Sequence, residues 1–242
     1  MKIIKKVVVS GIVLILFLLG SKEYMGYDYF YKYKDIREHA KSIEKNFSEL
    51  EGNLKKALWF SKNPLFYKET ARLYLEMALV VNESGIEEKR DLYVDMARDF
   101  YLDMAKGSLI QVIKRNPADA FSYYEMGKVY MLYNFPLLTY MDKAKLYFIK
   151  ALELKPADEF LNLNIIYIYL TQWDFLNDGE KRFVFKRLWK IWKNNQNFIP
   201  QIKNRWTENF GEAEKLKEIL STNEVLWLQI NHYFKNSNAE HG

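Results

Sequence analysis

The feature of this chain that most constrains its fold is a short sequence pattern that occurs twice. Residues 116–121, NPADAF, return thirty-nine residues later as residues 155–160, KPADEF. Each copy follows one helical pattern of apolar residues and precedes another. Because a repeat of this length is typical of stacked helix pairs, the echo predicts a helical repeat array. Such an array exposes an extended surface, which suits the binding of other macromolecules better than a sealed catalytic cleft.

Small and aromatic residues stand at fixed offsets between the two copies. The first helical pattern carries Tyr123, Met126, Gly127 and Tyr130, and the second carries Ala144, Phe148, Ala151 and Pro156. This arrangement resembles the tetratricopeptide repeat (TPR) family, whose unit is a helix-turn-helix of about 34 residues. The resemblance implies an all-α fold of antiparallel helix-turn-helix repeats that stack into a right-handed solenoid.

The resemblance covers roughly residues 65–196 and is most specific in its middle third. Upstream, Ala105, Leu109 and Val112 fit a second helix, and downstream Ile165, Ile166 and Tyr169 fit a first helix. Phe185, Trp189 and Trp192 replace the small residues of its partner helix. About five extra residues, 134–138, lengthen the turn of the best-matching unit, and we predict that this loop makes specialised contacts.

In similar repeats the first helices line a concave groove that holds extended peptides or partner segments. The resemblance implies two sets of groove residues: Phe121, Tyr124, Glu125, Lys128 and Met131, followed by Phe160, Leu163, Asn164, Tyr167 and Leu170. Aromatic anchors beside a few polar groups suit a protein interface. The alternative is that C-terminal helices, predicted around residues 212–220 and 224–234, cover Phe160, Leu163 and Tyr167 and fill part of the groove from within.

The N-terminus determines the predicted compartment. Lys2, Lys5 and Lys6 precede an uncharged apolar run over residues 7–19, which is typical of a secretory signal or a membrane anchor. The thirteen residues span only about 20 Å as a helix, which favours a cleaved signal. However, residues 18–21, LLGS, lack the small pair of a cleavage site, so residues 1–21 are predicted to be an uncleaved signal-anchor helix. The remainder would then lie on the extracytoplasmic, periplasmic side of a single-pass protein of the cytoplasmic (inner) membrane.

Residues 22–63 are predicted to link the anchor to the repeats. Six rings, at positions 24, 27, 29, 30, 31 and 33, crowd one stretch, where they either meet the membrane interface, pack on the repeat domain or, as a lesser option, pair as a strand. Apolar residues at steps of three and four from Tyr29 to Ala57 predict one long helix with one apolar stripe. That stripe could form a coiled-coil homo-oligomer or pack within the chain, and packing within the chain is favoured because the seam contains alanines and Gly52.

Composition supports one helical domain, residues 64–236, followed by a disordered tail over residues 237–242. Of the 242 residues, 49% are hydrophobic, which is enough for a compact core. The absence of cysteine excludes disulfides, thiolate metal sites and thiol catalysis. No flexible linker or low-complexity tract occurs in the chain.

Charge is unevenly distributed along the chain. Residues 181–205 contain no acidic residue and carry Lys181, Arg182, Lys186, Arg187, Lys190, Lys193, Lys203 and Arg205, with tryptophans interleaved. This basic segment could bind an anionic glycan, an anionic membrane surface or an acidic protein, whereas export argues against nucleic acid. The alternative is that Phe185, Leu188, Trp189 and Trp192 form a buried stripe with the cations as its solvated back. Asp91, Asp95, Asp99 and Asp103 form an opposite row, predicted to be a solvated face. The alternative is that this row binds a basic partner or the basic segment of another copy of the chain.

Catalytic patterns are missing from the sequence. His39, His232 and His241 lie far apart and belong to no metal-spaced motif, and neither a nucleophile elbow nor a phosphate-binding glycine loop occurs. We therefore predict a non-catalytic protein without a cofactor or metal: a membrane-anchored scaffold that binds a protein partner and helps to assemble an envelope complex. Proteins with similar anchored repeats serve pilus or secretion machinery, cytochrome maturation and surface-polysaccharide production.

Overall fold

The computed structural model of the chain describes residues 2–84, 92–133, 141–211 and 213–235. These residues form helices and one 3-10 turn without any strand, which confirms the all-α prediction. The helices are α1 Lys2–His39, α2 Ile43–Phe60, α3 Pro64–Ser84, α4 Leu92–Arg115, α5 Ala120–Leu132, α6 Met141–Leu154, α7 Glu159–Thr171, α8 Asp178–Asn194, α9 Phe198–Phe210, α10 Glu214–Ser221, α11 Glu224–Ile230 and α12 His232–Lys235. The chain divides into two compact units, Met1–Leu154 and Lys155–Gly242.

Both copies of the repeated pattern connect two helices, as predicted. The first copy lies between α4 and α5, and the second lies between α6 and α7. Asp158 caps α7, because its carboxylate accepts a hydrogen bond from the Leu161 amide at 3.0 Å. Asp119 precedes α5 and accepts a hydrogen bond from the Ser122 hydroxyl at 2.6 Å. A short polar residue after the proline therefore starts the next helix in both copies.

In the first unit the helices pack in sequential pairs, α1 on α2, α3 on α4 and α5 on α6. Helix α3 contributes to two buried clusters. One joins it to α1 and α2 through Phe30, Leu54 and Phe66, and the other joins it to α4 and α5 through Leu102 and Val129. Burying one such side chain contributes about 1.5–3 kcal/mol, so α3 is central to the stability of this unit.

Helices α5 and α6 pack closely where the sequence offers a glycine. A methyl group at Gly127 would stand 2.4 Å from a ring carbon of Phe148, which is far inside van der Waals contact. Ala144 and Ala151 are fully buried on α6, and the rings of Tyr130 and Tyr147 stack at 5.3 Å. The small residues therefore bring the two helices together, and the aromatic residues fill the space beside them.

The helix predicted from Tyr29 to Ala57 is two helices in the structure. Helix α1 ends at His39 and α2 begins at Ile43, with Ser42 in an extended conformation between them. The two helices fold back on each other, so that Tyr33 on α1 and Leu50 and Leu54 on α2 are buried in one cluster. The apolar stripe thus packs within the chain, because a three-residue turn lets its two halves cover each other.

The aromatic stretch after the N-terminal segment divides between core and surface. The ring of Phe30 packs at 4.8 Å from that of Phe66, and that of Tyr29 stacks on Phe60 at 5.8 Å. The Tyr27 hydroxyl accepts a hydrogen bond from Asn63 at 2.8 Å. Tyr24 and Tyr31 remain exposed, at 77% and 67%. Most of these rings therefore pack on the helical body, and the whole stretch is helical rather than a strand.

Among the described residues, none of the helices combines the length and the apolar character that crossing a membrane requires. The anchor predicted over residues 1–21 lies partly outside the described residues, as do the side chains of Lys2, Lys5 and Lys6. The predicted contact loop at 134–138, Asp91, His241 and the predicted tail at 237–242 lie outside them entirely.

In the second unit α7 packs against both α8 and α9, and α10 to α12 follow as short sequential helices. Leu161, Ile165 and Ile166 of α7 are fully buried. Helix α8 begins with a capping box, because the Asn177 side chain accepts from the Glu180 amide while the Glu180 carboxylate accepts from the Asn177 amide. Among the described residues the α7–α8 pair is thus followed by four further helices, α9 to α12, more than the one or two capping helices expected.

Candidate partner-binding surfaces

The groove residues predicted in the first unit lie on α5. Phe121, Glu125, Lys128 and Met131 are partly exposed, whereas Tyr124 is only 5% exposed and contacts the ring of Phe148 at 6.1 Å. Steps of four, three and three place these partly exposed side chains on one side of the helix. Tyr124 is therefore buried, and the other four residues form an accessible surface, which we call the α5 face.

Charged side chains fix the shape of this α5 face. The Lys128 ammonium lies 2.9 Å from the Glu125 carboxylate and 5.4 Å from the centre of the Tyr124 ring. At the start of α5 the Lys68 ammonium lies 3.1 Å from Asp119 and 5.2 Å from the centre of the Phe121 ring. The Phe121 ring, two carboxylates and two ammonium groups thus share one surface, which can contact both apolar and charged groups of a peptide.

The groove residues predicted in the second unit, on α7, are largely covered by α9. Phe160 is 56% exposed and Leu163 is half-buried, but Asn164, Tyr167 and Leu170 are buried. The Arg205 guanidinium donates a hydrogen bond to the Asn164 amide oxygen at 2.7 Å and lies 4.3 Å from the centre of the Tyr167 ring. Burial also raises the pKa of Tyr167.

The cover over α7 comes mainly from a helix that sequence reasoning did not assign to this role. The alternative prediction placed helices around residues 212–220 and 224–234 over this face, whereas the Trp206 ring of α9 contacts Tyr167 at 6.2 Å. Helix α10 contributes at the edge, where Ile219 lines a cavity of about 370 Å³ with Leu170 and Trp206. Three of the five predicted α7 positions therefore belong to an interface within the unit.

The basic segment separates into structural and exposed cations. Arg187 donates to the Asn162 amide oxygen at 2.7 Å and to the Pro156 carbonyl at 3.0 Å, and burial lowers its pKa. Lys203 donates to the Tyr233 carbonyl at 2.8 Å, and Arg205 binds Asn164. Lys181 is half-buried and lies 5.5 Å from the centre of the Trp173 ring. The exposed cations are Arg182, Lys186, Lys190 and Lys193.

The buried stripe of α8 differs from the predicted one. Val184, Leu188 and Ile191 are buried, while Phe185, Trp189 and Trp192 are only half-buried. Steps of four and three define the buried face, and the three aromatic residues flank it. Large apolar rings therefore reach the surface next to the exposed cations.

Helices α8 and α11 border an open groove of about 350 Å³. Its lining consists of Arg182, Phe185, Lys186 and Trp189 from α8 together with Asn223, Val225 and Leu226 from the start of α11. The α11 residues were not predicted as site residues. Nothing in the sequence signals them, because only the packing of α11 beside α8 brings the two segments together.

The aspartate row on α4 is paired with nearby cations. Arg98, which is 5% exposed, lies 3.0 Å from both Asp95 and Asp99, and Lys106 lies 3.7 Å from Asp103. Asp103 also accepts a hydrogen bond from the Tyr133 hydroxyl. These contacts offset the repulsion within the row.

Two of the three histidines lie in the part of the chain that the structure covers. His39 is exposed, and its hydrogen bond with the Asp35 carbonyl raises its pKa. His232 is exposed on α12. Among the described residues, no three histidine, aspartate or glutamate side chains converge on a site for a metal ion.

No protein-family model matches this chain, and a comparison with curated proteins also finds no match.

Proposed function

We propose that the chain is a non-catalytic scaffold, held at a membrane by its N-terminal helix, whose helical body binds a protein partner of an envelope assembly. The observation that carries this proposal is the continuity of α1. One uninterrupted helix runs from exposed apolar residues, including Leu16 and Phe17, to Phe30 and Tyr33 in the core of the first unit. An apolar segment is thereby joined to the body without a flexible linker.

Residues 15–19 of α1 are apolar on all sides of the helix. Ile15, Leu16, Phe17, Leu18 and Leu19 are between 52% and 70% exposed. Because successive residues of a helix are about 100° apart, these five side chains surround the helix axis. A helix that is apolar on every side requires an apolar environment. Together with the lysines that precede it, this segment supports anchoring in the inner membrane, with the body on the extracytoplasmic side.

The attachment of α1 to the body is reinforced by a buried network. The Tyr33 hydroxyl donates to Glu69, and Arg37 donates to the Tyr33 hydroxyl at 2.7 Å and pairs with Glu76. Glu69 is only 3% exposed and also binds Arg72 at 3.0 Å. A charge-assisted hydrogen bond contributes about 1.5–3 kcal/mol, so the network holds α1 firmly against α3.

The partner surface that fits this proposal best is the accessible α5 face of Phe121, Glu125, Lys128 and Met131. Its support is the TPR resemblance together with the partial exposure of these four residues. In this interpretation the sequential helix pairs are divergent TPR-like repeats. Similar anchored scaffolds serve pilus or secretion, cytochrome-maturation and surface-polysaccharide machinery. The proposal includes all three kinds of envelope assembly.

Crosslinking of the full-length protein in its native membranes tests the proposal. One variant carries Phe121→Ala and Glu125→Lys, and a matched control carries Leu146→Ala and Glu153→Lys on α6, where both side chains are exposed. We expect one set of envelope proteins to be recovered with the wild type and the control but lost with the α5 variant. Equal recovery from all three proteins would contradict the assignment of the α5 face.

A second candidate function is binding of an anionic glycan or an anionic membrane surface by the basic segment. It is favoured by the exposed row of Arg182, Lys186, Lys190 and Lys193 on α8. Charge reversal at Lys186, Lys190 and Lys193 together would abolish such binding and its salt dependence, while partner binding at the α5 face would survive.

A further inference from the structure

The groove between α8 and α11 combines an apolar interior with a cationic edge. Phe185, Trp189 and Leu226 supply apolar surface, and Val225 is 65% exposed at the border. Arg182 and Lys186 are exposed on the same lining. Half-buried aromatic rings in a concave surface are typical of the central contacts in protein interfaces. The groove therefore has the composition of a peptide-binding site.

Charge determines which peptide fits this groove. Residues 181–205 contain no acidic residue, and the two cations of the groove lining, Arg182 and Lys186, are exposed. The acidic residue nearest to the groove in sequence is Glu224, which precedes Val225 and is exposed. A ligand that places carboxylates on Arg182 and Lys186 would gain charge-assisted hydrogen bonds, whereas a basic ligand would meet repulsion.

We propose that this groove binds an acidic amphipathic helix of a partner protein. Large apolar side chains at i and i+3 or i+4 enter the groove between Trp189 and Leu226, and aspartate or glutamate residues on the adjacent side contact Arg182 and Lys186. The inference rests on the proposed scaffold function and adds a second surface, distinct from the α5 face, together with the chemistry of its ligand.

The concave shape favours a peptide over a lipid bilayer as the ligand. A bilayer contacts protruding apolar side chains, whereas the groove offers a recess of about 350 Å³, which accommodates one or two large side chains. Leu228 does protrude from α11 at 72% exposure, but it is not part of the groove lining. Groove residues and Leu228 can therefore be tested separately.

A display library of random 16-residue peptides, selected on the full-length protein in detergent, tests the proposal. We expect enrichment of sequences with large apolar residues at helical spacing and neighbouring Asp or Glu. Enriched peptides should lose about tenfold or more in affinity for Lys186→Glu and for Val225→Ser, because each variant removes one of the two groove contacts.

Matched controls lie on the same two helices. Lys190→Glu makes the same charge change but lies in a separate depression beside Pro156 and Asn194, and Leu228→Ser makes a similar polar substitution outside the groove. Both should change affinity by less than about threefold, which is the expectation for contacts outside the site. Enrichment of basic peptides, absence of enrichment, or equal losses in controls and groove variants would each overturn the proposal.

Vesicles containing an anionic phospholipid provide the competing measurement. If Lys186→Glu and Val225→Ser weaken vesicle binding while no peptide is enriched, the groove is a membrane site and the proposal fails. The crosslinking experiment on the α5 face is independent of these results. Loss of the groove proposal with intact α5-dependent recovery would therefore leave the scaffold function standing.

Discussion

At the scale of single residues, Gly127 shows how one missing methyl group determines the approach of two helices. The ring of Phe148 occupies the space that a side chain at position 127 would need, and this ring is only 1% exposed. Because the ring also packs on Tyr124, it has little freedom to move away. The glycine is therefore required by packing, although glycine is unfavourable within a helix.

Replacing Gly127 by alanine should destabilise the protein by about 1–3 kcal/mol, because overpacking outweighs the gain in helix propensity. Gly107 on α4 provides the control, since a methyl group there meets nothing within 4 Å. Gly107→Ala should instead stabilise by up to about 1 kcal/mol. Urea unfolding measures the change in unfolding free energy of each variant relative to the wild type. Stabilisation by both substitutions would contradict the observed packing.

Tyr33 gives the protein a predicted sensitivity to alkaline pH. The side chain is fully buried, and burial raises its pKa well above the ordinary value of about 10, although Arg37 opposes the shift. A raised pKa in the folded state contributes stability below pH 10 that is lost at higher pH, because only the unfolded chain then releases the proton. Tyr169 is also buried, and its pKa is raised for the same reason.

The unfolding free energy should therefore fall as the pH rises from 10 to 11. In Tyr33→Phe the fall of the unfolding free energy with pH should be smaller by up to about 1.4 kcal/mol per pH unit, which is the contribution of one proton. Tyr24→Phe makes the same chemical change at an exposed position and should leave the slope unaltered. Unfolding by urea at several pH values measures this slope, and equal slopes in all three proteins would refute the prediction.

At the scale of helices, the segment α8–α9 shows that a charge pattern alone does not reveal the role of each cation. In sequence, Arg182 and Arg187 are equivalent members of one basic run. In the structure, Arg187 bridges the Asn162 side chain and the Pro156 carbonyl, whereas Arg182 is exposed at the edge of the α8–α11 groove. One arginine therefore holds the second copy of the repeated pattern against α8, and the other is available to a ligand.

Removing these two arginines should have different effects on stability. Arg187→Ala should cost about 1–3 kcal/mol, because it leaves partly buried acceptors without their donor. Arg182→Ala should change the unfolding free energy by less than about 0.5 kcal/mol, as expected for an exposed side chain. Thermal or urea unfolding distinguishes the two, and comparable losses would show that Arg182 also has a structural role.

The helices themselves could be predicted because their signals are local. The two copies of the repeated pattern mark the turns before α5 and α7. Gly127 and the alanines of α6 mark the close approach within the α5–α6 pair. The turn at residues 40–42 was missed because the apolar spacing from Tyr29 to Ala57 continues through it. The cover of Tyr167 by α9 and the meeting of Val225 with Lys186 depend on packing between segments distant in sequence. Local periodicity carries no information about such contacts.

At the scale of the whole molecule, α1 is the element on which the proposed function depends. It is the longest helix of the described residues, it exposes the apolar side chains of Ile12 and of residues 15–19, and it is then buried against α2 and α3. Because α1 is one continuous helix, its apolar end is connected to the body without a flexible linker. The proposed scaffold function therefore predicts that the body lies on one defined side of a membrane.

Thiol labelling of intact cells determines this side, because the chain contains no cysteine. Ser48→Cys on α2 and Lys150→Cys on α6 each place one thiol at an exposed position. Under the proposed function a membrane-impermeant maleimide should label both without cell lysis, since lysines before an apolar segment generally keep the N-terminus of an anchored protein in the cytoplasm. Labelling that appears only after lysis would place the body in the cytoplasm and exclude an extracytoplasmic scaffold.

The same thiols test whether the apolar residues of α1 direct this location. Leu16→Asp with Phe17→Asp should prevent labelling in intact cells, because two charges within the apolar segment oppose its insertion into a membrane. Met96→Asp with Phe100→Asp replaces two apolar residues of similar exposure on α4 and should leave labelling unchanged. If the α1 variant is labelled as efficiently as the control, export does not depend on this segment, and the apolar part of α1 must serve another purpose.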